Sequence, residues 1–175
     1  MANLKVQTME MTDEQKRLID RGMYLRGRMI THFAQCEYLL ADISVRVDKR
    51  FVYLLKKRAK ALEKITAADG PYAQYGDELV PLADQLLAWD DIRHFLAHGM
   101  IFLVFVQKDK RLVFEFRRYN RRDDKSFEHL NWYISPDELE KASEALADLC
   151  QRFLSAFRRI YIEQGLEVQF AELFE

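Results

Sequence analysis

One apolar stripe constrains this chain more than any other feature. Leu18, Gly22, Leu25, Met29, Phe33, Cys36, Leu40, Ile43 and Val47 recur at steps of three or four, the spacing that lines one face of an α-helix. Thr12-Asp13-Glu14-Gln15 opens it, since the Thr12 hydroxyl can cap the amide three residues on and Gln15 can reach back. A helix of about 36 residues would run roughly 54 Å at 1.5 Å per residue. Gly22 and Gly27 are its weak points, at about 1 kcal/mol each relative to alanine, and predict a kink or a close helix–helix approach.

The rest of the pattern is shorter-ranged. A second helix is expected near Phe51–Thr66, ending before Asp69-Gly70-Pro71, and Tyr72–Gly76 reads as loop. A third, over about Leu79–His98, carries Leu79, Leu82, Leu86, Trp89, Arg93 and Leu96 on one stripe. Pro81 fits its first turn, where a missing amide costs nothing, and Gly99 stands where a left-handed terminating residue is expected. There the period turns strand-like. Met100–Val106 is apolar throughout, Gln107–Lys110 reads as a turn, Leu112–Phe116 as a second strand, Asn120–Lys125 as a charged loop and His129–Ile134 as a short third strand. Ser135-Pro136-Asp137-Glu138 combines a cap, a proline at the first helical position and an acid at the third. The helix it opens turns Leu139, Ala142, Leu146, Leu149, Phe153, Phe157 and Ile160 inward. The expectation is a mainly α, single domain over 1–175 with its ordered core at about 12–163: an antiparallel bundle of about four helices, with a small antiparallel β-hairpin or sheet inserted before the last.

Composition excludes several classes. With 12 Phe, 8 Tyr and 2 Trp among 175 residues, the chain is too aromatic for intrinsic disorder. A net charge of −1 names no partner by global electrostatics. Cys36 and Cys150 are too few for a disulfide framework or a four-thiolate zinc site, and both lie on inward stripes as small core residues. The N-terminus lacks the apolar run of a signal peptide. The longest apolar run, Met100–Val106, is far short of the roughly 20 residues of a membrane span. A cytoplasmic protein without a membrane partner is expected. From Glu163 to the last residue the chain holds four acids and no base, an acidic tail over 164–175.

Gly-rich phosphate loops, Gly-x-Ser-x-Gly elbows, Cys-x-x-Cys pairs and His-Glu-x-x-His are missing. Chemistry near neutral pH would fall to the four histidines, His32, His94, His98 and His129. Asp90-Asp91-Ile92-Arg93-His94-Phe95-Leu96-Ala97-His98-Gly99 packs two acids, an arginine and two histidines into the last turns of an otherwise apolar helix. Asp90, His94 and His98 are four apart and share a face, while Arg93 sits on the neighbouring apolar stripe and needs an acidic or phosphate partner. The pattern has a plain structural reading too, in which Arg93 pairs with Glu37 in the core and His98 caps carbonyls at a helix end. Glu37 is then that counter-ion, or a solvated acid at the stripe's edge. Asp90, His94 and His98 also have the spacing of a helical metal site, though without a further strong ligand.

Arg93-His94-Phe95-Leu96-Ala97-His98 resembles the Arg-(polar)-x-x-x-His signature of HEPN domains, within a wider Arg-Asn-x-x-Ala-His-Gly pattern, with His94 where asparagine is frequent. The long first helix with Phe33-x-x-x-Glu37-x-x-Leu40 is similar to the family's usual opening. Arg26 and His32 give a second match, mid-helix and followed by Gly27; helix position and the Ala-His-Gly ending single out the segment at 93–98. The resemblance implies an α-helical, homodimeric fold that acts in catalytic members as a metal-independent endoribonuclease, with no cofactor. Other members are non-catalytic modules binding RNA, a ligand or a protein. RNA, an antitoxin or another protein would be the partner. On this reading His98 moves the proton of a ribose 2′-hydroxyl, Arg93 clamps the phosphate through two parallel hydrogen bonds, and His94 positions substrate or its neighbours. Glu37 and Asp90 support them. Two Arg/His pairs, one per chain, would line a shared groove and leave 2′,3′-cyclic phosphate ends.

Two basic runs sit outside this motif. Val45–Lys64 carries Arg46, Lys49, Arg50, Lys56, Lys57, Arg58, Lys60 and Lys64 against Asp48 and Glu63. Gln107–Lys125 includes Arg117, Arg118, Arg121 and Arg122 around Tyr119. Bases with interleaved aromatics suit single-stranded RNA, which makes Arg117, Arg118, Arg121, Arg122, Lys56 and Lys57 candidate substrate contacts; the plain alternative is two solvated faces. Phe102, Phe105, Phe114, Phe116, Trp132 and Tyr133 read as sheet-to-helix packing, or as a dimer surface if the sheet lies at an edge.

Overall fold

The computed structural model describes residues 11–166, the side chain of Asp48 excepted. Helix α1 runs Asp13–Asp48, 36 residues, behind the expected capping box: the Gln15 amide donates to Thr12 Oγ1 at 3.2 Å and the Thr12 amide to Gln15 Oε1 at 2.9 Å. Leu25, Met29, Phe33, Cys36, Leu40 and Ile43 are buried along it. Neither glycine breaks the helix. At Gly22 a Cβ would lie 2.7 Å from Phe114 Cε1 and 3.1 Å from Ile101 Cδ1, so the close approach is to the sheet and not to another helix. Gly27 faces open space.

Helix α2 spans Leu55–Ile65, four residues shorter at its start than the periodicity suggested. The Arg58 side chain holds the preceding segment extended, donating from Nε to the Val52 carbonyl at 2.7 Å and from Nη1 to the Glu37 carbonyl at 3.0 Å. The expected loop at 72–76 contains a 3₁₀ turn, Ala73–Tyr75. The expected third helix is two. Helix α3 covers Gly76–Leu87 and α4 Asp90–His98, divided where the Trp89 amide reaches only to the Leu86 carbonyl, 3.1 Å, in a tighter turn. Pro81 stands inside α3 and not in its first turn; it is solvent-exposed, so water can serve the carbonyl that loses its donor. Gly99 ends α4 in an extended conformation, φ −83° and ψ 145°, and not in the left-handed one expected. Glycine is needed there for space: a Cβ would sit 2.4 Å from the Phe95 carbonyl oxygen.

Strands β1 (Met100–Val106), β2 (Arg111–Arg121) and β3 (Phe127–Ile134) form an antiparallel sheet in the order β1-β2-β3. Met100 faces Arg117 and Phe114 faces Ile134. β2 runs five residues past the expected Phe116, so Asn120 and Arg121 belong to the strand and not to the charged loop expected at 120–125. Alternation sorts its side chains. Phe114 and Phe116 turn inward and are fully buried; Glu115 and Arg117 lie on the opposite face, where Glu115 is covered and Arg117 is exposed. Helix α5, Pro136–Glu163, begins with the Ser135/Glu138 capping box and packs the length of its apolar face on α1. Its buried Leu146, Leu149, Phe153, Phe157 and Ile160 each contribute about 1.5–3 kcal/mol of transfer free energy.

Among the described residues the architecture is mainly helical, five α-helices with a small three-stranded antiparallel sheet before the last. Among the described residues no helix is long and apolar enough to cross a membrane. Of the acidic tail, residues 167–175 lie outside the described residues.

Candidate functional site

Helix α4 brings the expected residues together. Arg93 is anchored at three points. Its Nε and Nη2 donate to Asp90 Oδ1 at 3.2 and 3.1 Å, Nη2 lies 3.3 Å from His94 Nε2, and the guanidinium stands over the Phe33 ring of α1, 5.5 Å from its centroid. The carboxylate partner of Arg93 is thus Asp90, one turn back on its own helix, and not Glu37 as the structural reading had it. Glu37 contributes its main-chain carbonyl to Arg58.

The protonation of His94 follows from its neighbours. Its Nδ1 is 2.7 Å from the Asp90 carbonyl oxygen, which can only accept, so Nδ1 carries the proton and, in the neutral ring, Nε2 accepts from Arg93. His94 is a positioning residue for the guanidinium. His98, one turn on, has an exposed side chain whose ring centroid is 6.1 Å from that of His94. Going round the exposed arc of α4, Arg93 comes first, then Asp90, His94 and His98. The Arg93 Nη1 is left without a hydrogen-bond partner among the described residues, so the guanidinium has one free amino group; the two-point edge formed by Nε and Nη2 is occupied by Asp90.

Two arginines outside the segment at 93–98 complete the surroundings. Arg26 donates from Nε to the Leu96 carbonyl at 2.6 Å, satisfying an orphan acceptor at the end of α4 where a cation also meets the negative end of the helix dipole. The hint in the sequence was its place on the flank of the α1 stripe. Arg118 turns inward from β2 and lies over the Phe95 ring at 4.8 Å, with its Nε buried and unpartnered. Of the four arginines at 117–122 it is the one beside α4.

The other three are committed elsewhere. Arg117 binds Glu115 at 2.6 Å and stands over Phe102 at 4.4 Å; Arg121 pairs with Asp124 and Arg122 with Glu128 at 2.7 Å within the hairpin tip. These pairs hold the Glu115 and Glu128 carboxyls below the usual carboxylate range and engage three of the four arginines at 117–122. Lys56 and Lys57 are exposed at the start of α2. Its tie to α1 at Glu37 lies eleven residues beyond the Arg26 contact, about 16 Å at the helical rise, so these lysines are not part of the α4 cluster. Among the described residues no three His, Cys, Asp or Glu side chains are grouped to hold a metal ion, so Asp90, His94 and His98 do not converge as their spacing allowed. The second motif match also dissolves: His32 contacts Arg28 and Gln35, while Arg26 turns to α4.

No family model matches this chain, and neither the curated proteins nor the solved structures give a match.

Proposed function

We propose that this protein is a metal-independent endoribonuclease of the HEPN type acting as a homodimer. The observation that carries the reading is the run of Arg93, His94 and His98 on α4, in which a half-buried, held guanidinium retains one free amino group and His98, beyond Asp90 and His94 on the same arc, presents an exposed imidazole. In the reaction, His98 takes the proton of a ribose 2′-hydroxyl, and the oxygen so released attacks the adjacent phosphorus. The P–O5′ bond breaks, the 5′-oxygen leaves with a proton from a second imidazole supplied by the other copy's motif, and a 2′,3′-cyclic phosphate remains. Arg93 Nη1 donates to a phosphate oxygen as charge accumulates on the pentacoordinate phosphorus. His94 and Asp90 keep the guanidinium in place.

Mixed single-stranded RNA incubated with the protein in EDTA tests this. Cleavage leaving cyclic-phosphate ends is expected, falling about 10²–10⁴-fold in His98→Ala; RNA that stays intact overturns it. The occupied edge of Arg93 favours a second reading, a module that binds RNA without cutting. Salt-sensitive retention of intact RNA would select that module.

A further inference from the structure

A second basic and aromatic surface, separate from the α4 cluster, is tied to α1 at the start of α2. Arg93 lies over Phe33, and one helical turn on, Arg58 donates to the Glu37 carbonyl. The start of α2 thus meets α1 one turn, about 6 Å along the helix axis, beyond the Phe33 contact of Arg93, and about 16 Å beyond the Arg26 contact at the other end of α4.

Three features of this place go against folding stability alone. Phe51, Tyr53 and Leu54 are 64%, 82% and 56% exposed. The first turn of α2 has no acid and no side-chain cap; it carries Lys56, Lys57 and Arg58 at the positive end of the helix dipole, where cations are unfavourable. Lys56, Lys60 and Lys64 then repeat at four-residue spacing, exposed and without ion pairs among the described residues, a like-charge series that weakens a helix. An anionic partner relieves all of these charges together.

The aromatic tip is held and not loose. Arg58 fixes it through the Val52 carbonyl and stands over the Phe51 ring at 5.5 Å, and Phe51 meets Tyr53 edge-on at 6.3 Å and 73°. Two fixed ring faces at different angles, leading into a straight ridge of cations about 12 Å long, fit a linear polyanion with flat bases better than a planar charged surface.

We infer that this loop and ridge form a second contact for single-stranded RNA, with Phe51 and Tyr53 stacking bases beyond the reacting nucleotide and Lys56, Lys60 and Lys64 following its phosphates. The inference rests on RNA being the substrate of the α4 site, though it does not need cleavage. The test is fluorescence anisotropy of the full chain with a labelled 2′-O-methyl RNA 20-mer, which lacks the attacking hydroxyl. Replacing Lys56, Lys60 and Lys64 together by glutamate should weaken binding at least tenfold and reduce the log–log salt slope by about 2. Tyr53→Ala should cost about tenfold, within the range for one stacked base, and Tyr53→Phe should restore it. Unchanged thermal melts exclude misfolding. Wild-type-like binding by these variants, no binding by the wild type, or loop-dependent binding to phosphatidylserine vesicles in place of RNA overturns the inference. Loop-dependent binding without any cleavage of ordinary RNA upholds it while removing the nuclease reading.

Discussion

Single residues decide more here than their side chains suggest. Gly22 and Gly27 are alike in sequence, both glycines inside one helix, yet their surroundings are opposite. At Gly22 the Phe114 ring occupies the space a Cβ needs; Gly22→Ala should destabilise by about 1–3 kcal/mol through overpacking. At Gly27 nothing stands within 4 Å, so Gly27→Ala should stabilise by about 1 kcal/mol through helix propensity. Urea midpoints of the two variants check both signs. His94 teaches the same lesson about chemistry: its tautomer is set by the Asp90 carbonyl behind it, a group present in every residue and invisible to a motif.

At the scale of elements, the sheet shows how a charged residue is kept on a strand. Glu115 is 3% exposed, yet its carboxylate takes Arg117 at 2.6 Å and the Tyr133 hydroxyl at 2.7 Å. The arginine foremost, and then the hydroxyl, keep its folded pKa below the ordinary glutamate value of about 4.3. A depressed carboxyl contributes stability above its unfolded pKa and loses it as pH falls through the folded value. Glu115→Gln should therefore melt below wild type at pH 7, and the gap should close as pH drops under about 4; a gap unchanged across that range would contradict the pairing. The helix ends that carry local signals, Thr12/Gln15 and Ser135/Glu138, are where the structure has them, because a capping box involves four consecutive residues. The division of α3 from α4 and the length of β2 had no such signal. Each depends on what lies opposite, as at Arg117, whose strand register follows from its pairing with Met100.

Over the whole molecule, α1 and α5 are the frame, and their contact contains both cysteines. The hydrogen bond from Cys36, with His32 adding to it, lowers the Cys150 thiol, while the same contact and burial push Cys36 up. Reactivity would follow the thiolate if reagents could reach it, but both residues are buried at the interface. Iodoacetamide should accordingly label neither in the native protein and both together as urea opens α1 from α5, followed by mass spectrometry; rapid labelling of Cys150 in buffer would show the interface to be open.

What the sequence determined by itself was periodic or local: the stripe of α1, the two capping boxes, the change of period after Gly99 and the gathering of Arg93, His94 and His98 on one helical segment. Each is readable because it involves residues within a few positions of one another, whose relative placement the backbone geometry dictates. The tertiary structure alone decided that Asp90 and not Glu37 holds Arg93, that Arg118 reaches α4 while Arg121 and Arg122 turn to nearby acids, and that Lys56 and Lys57 stand apart from the α4 cluster. Those choices set one long flexible side chain against partners both near and distant in sequence, and packing, which composition does not encode, settles which of them comes within hydrogen-bonding range.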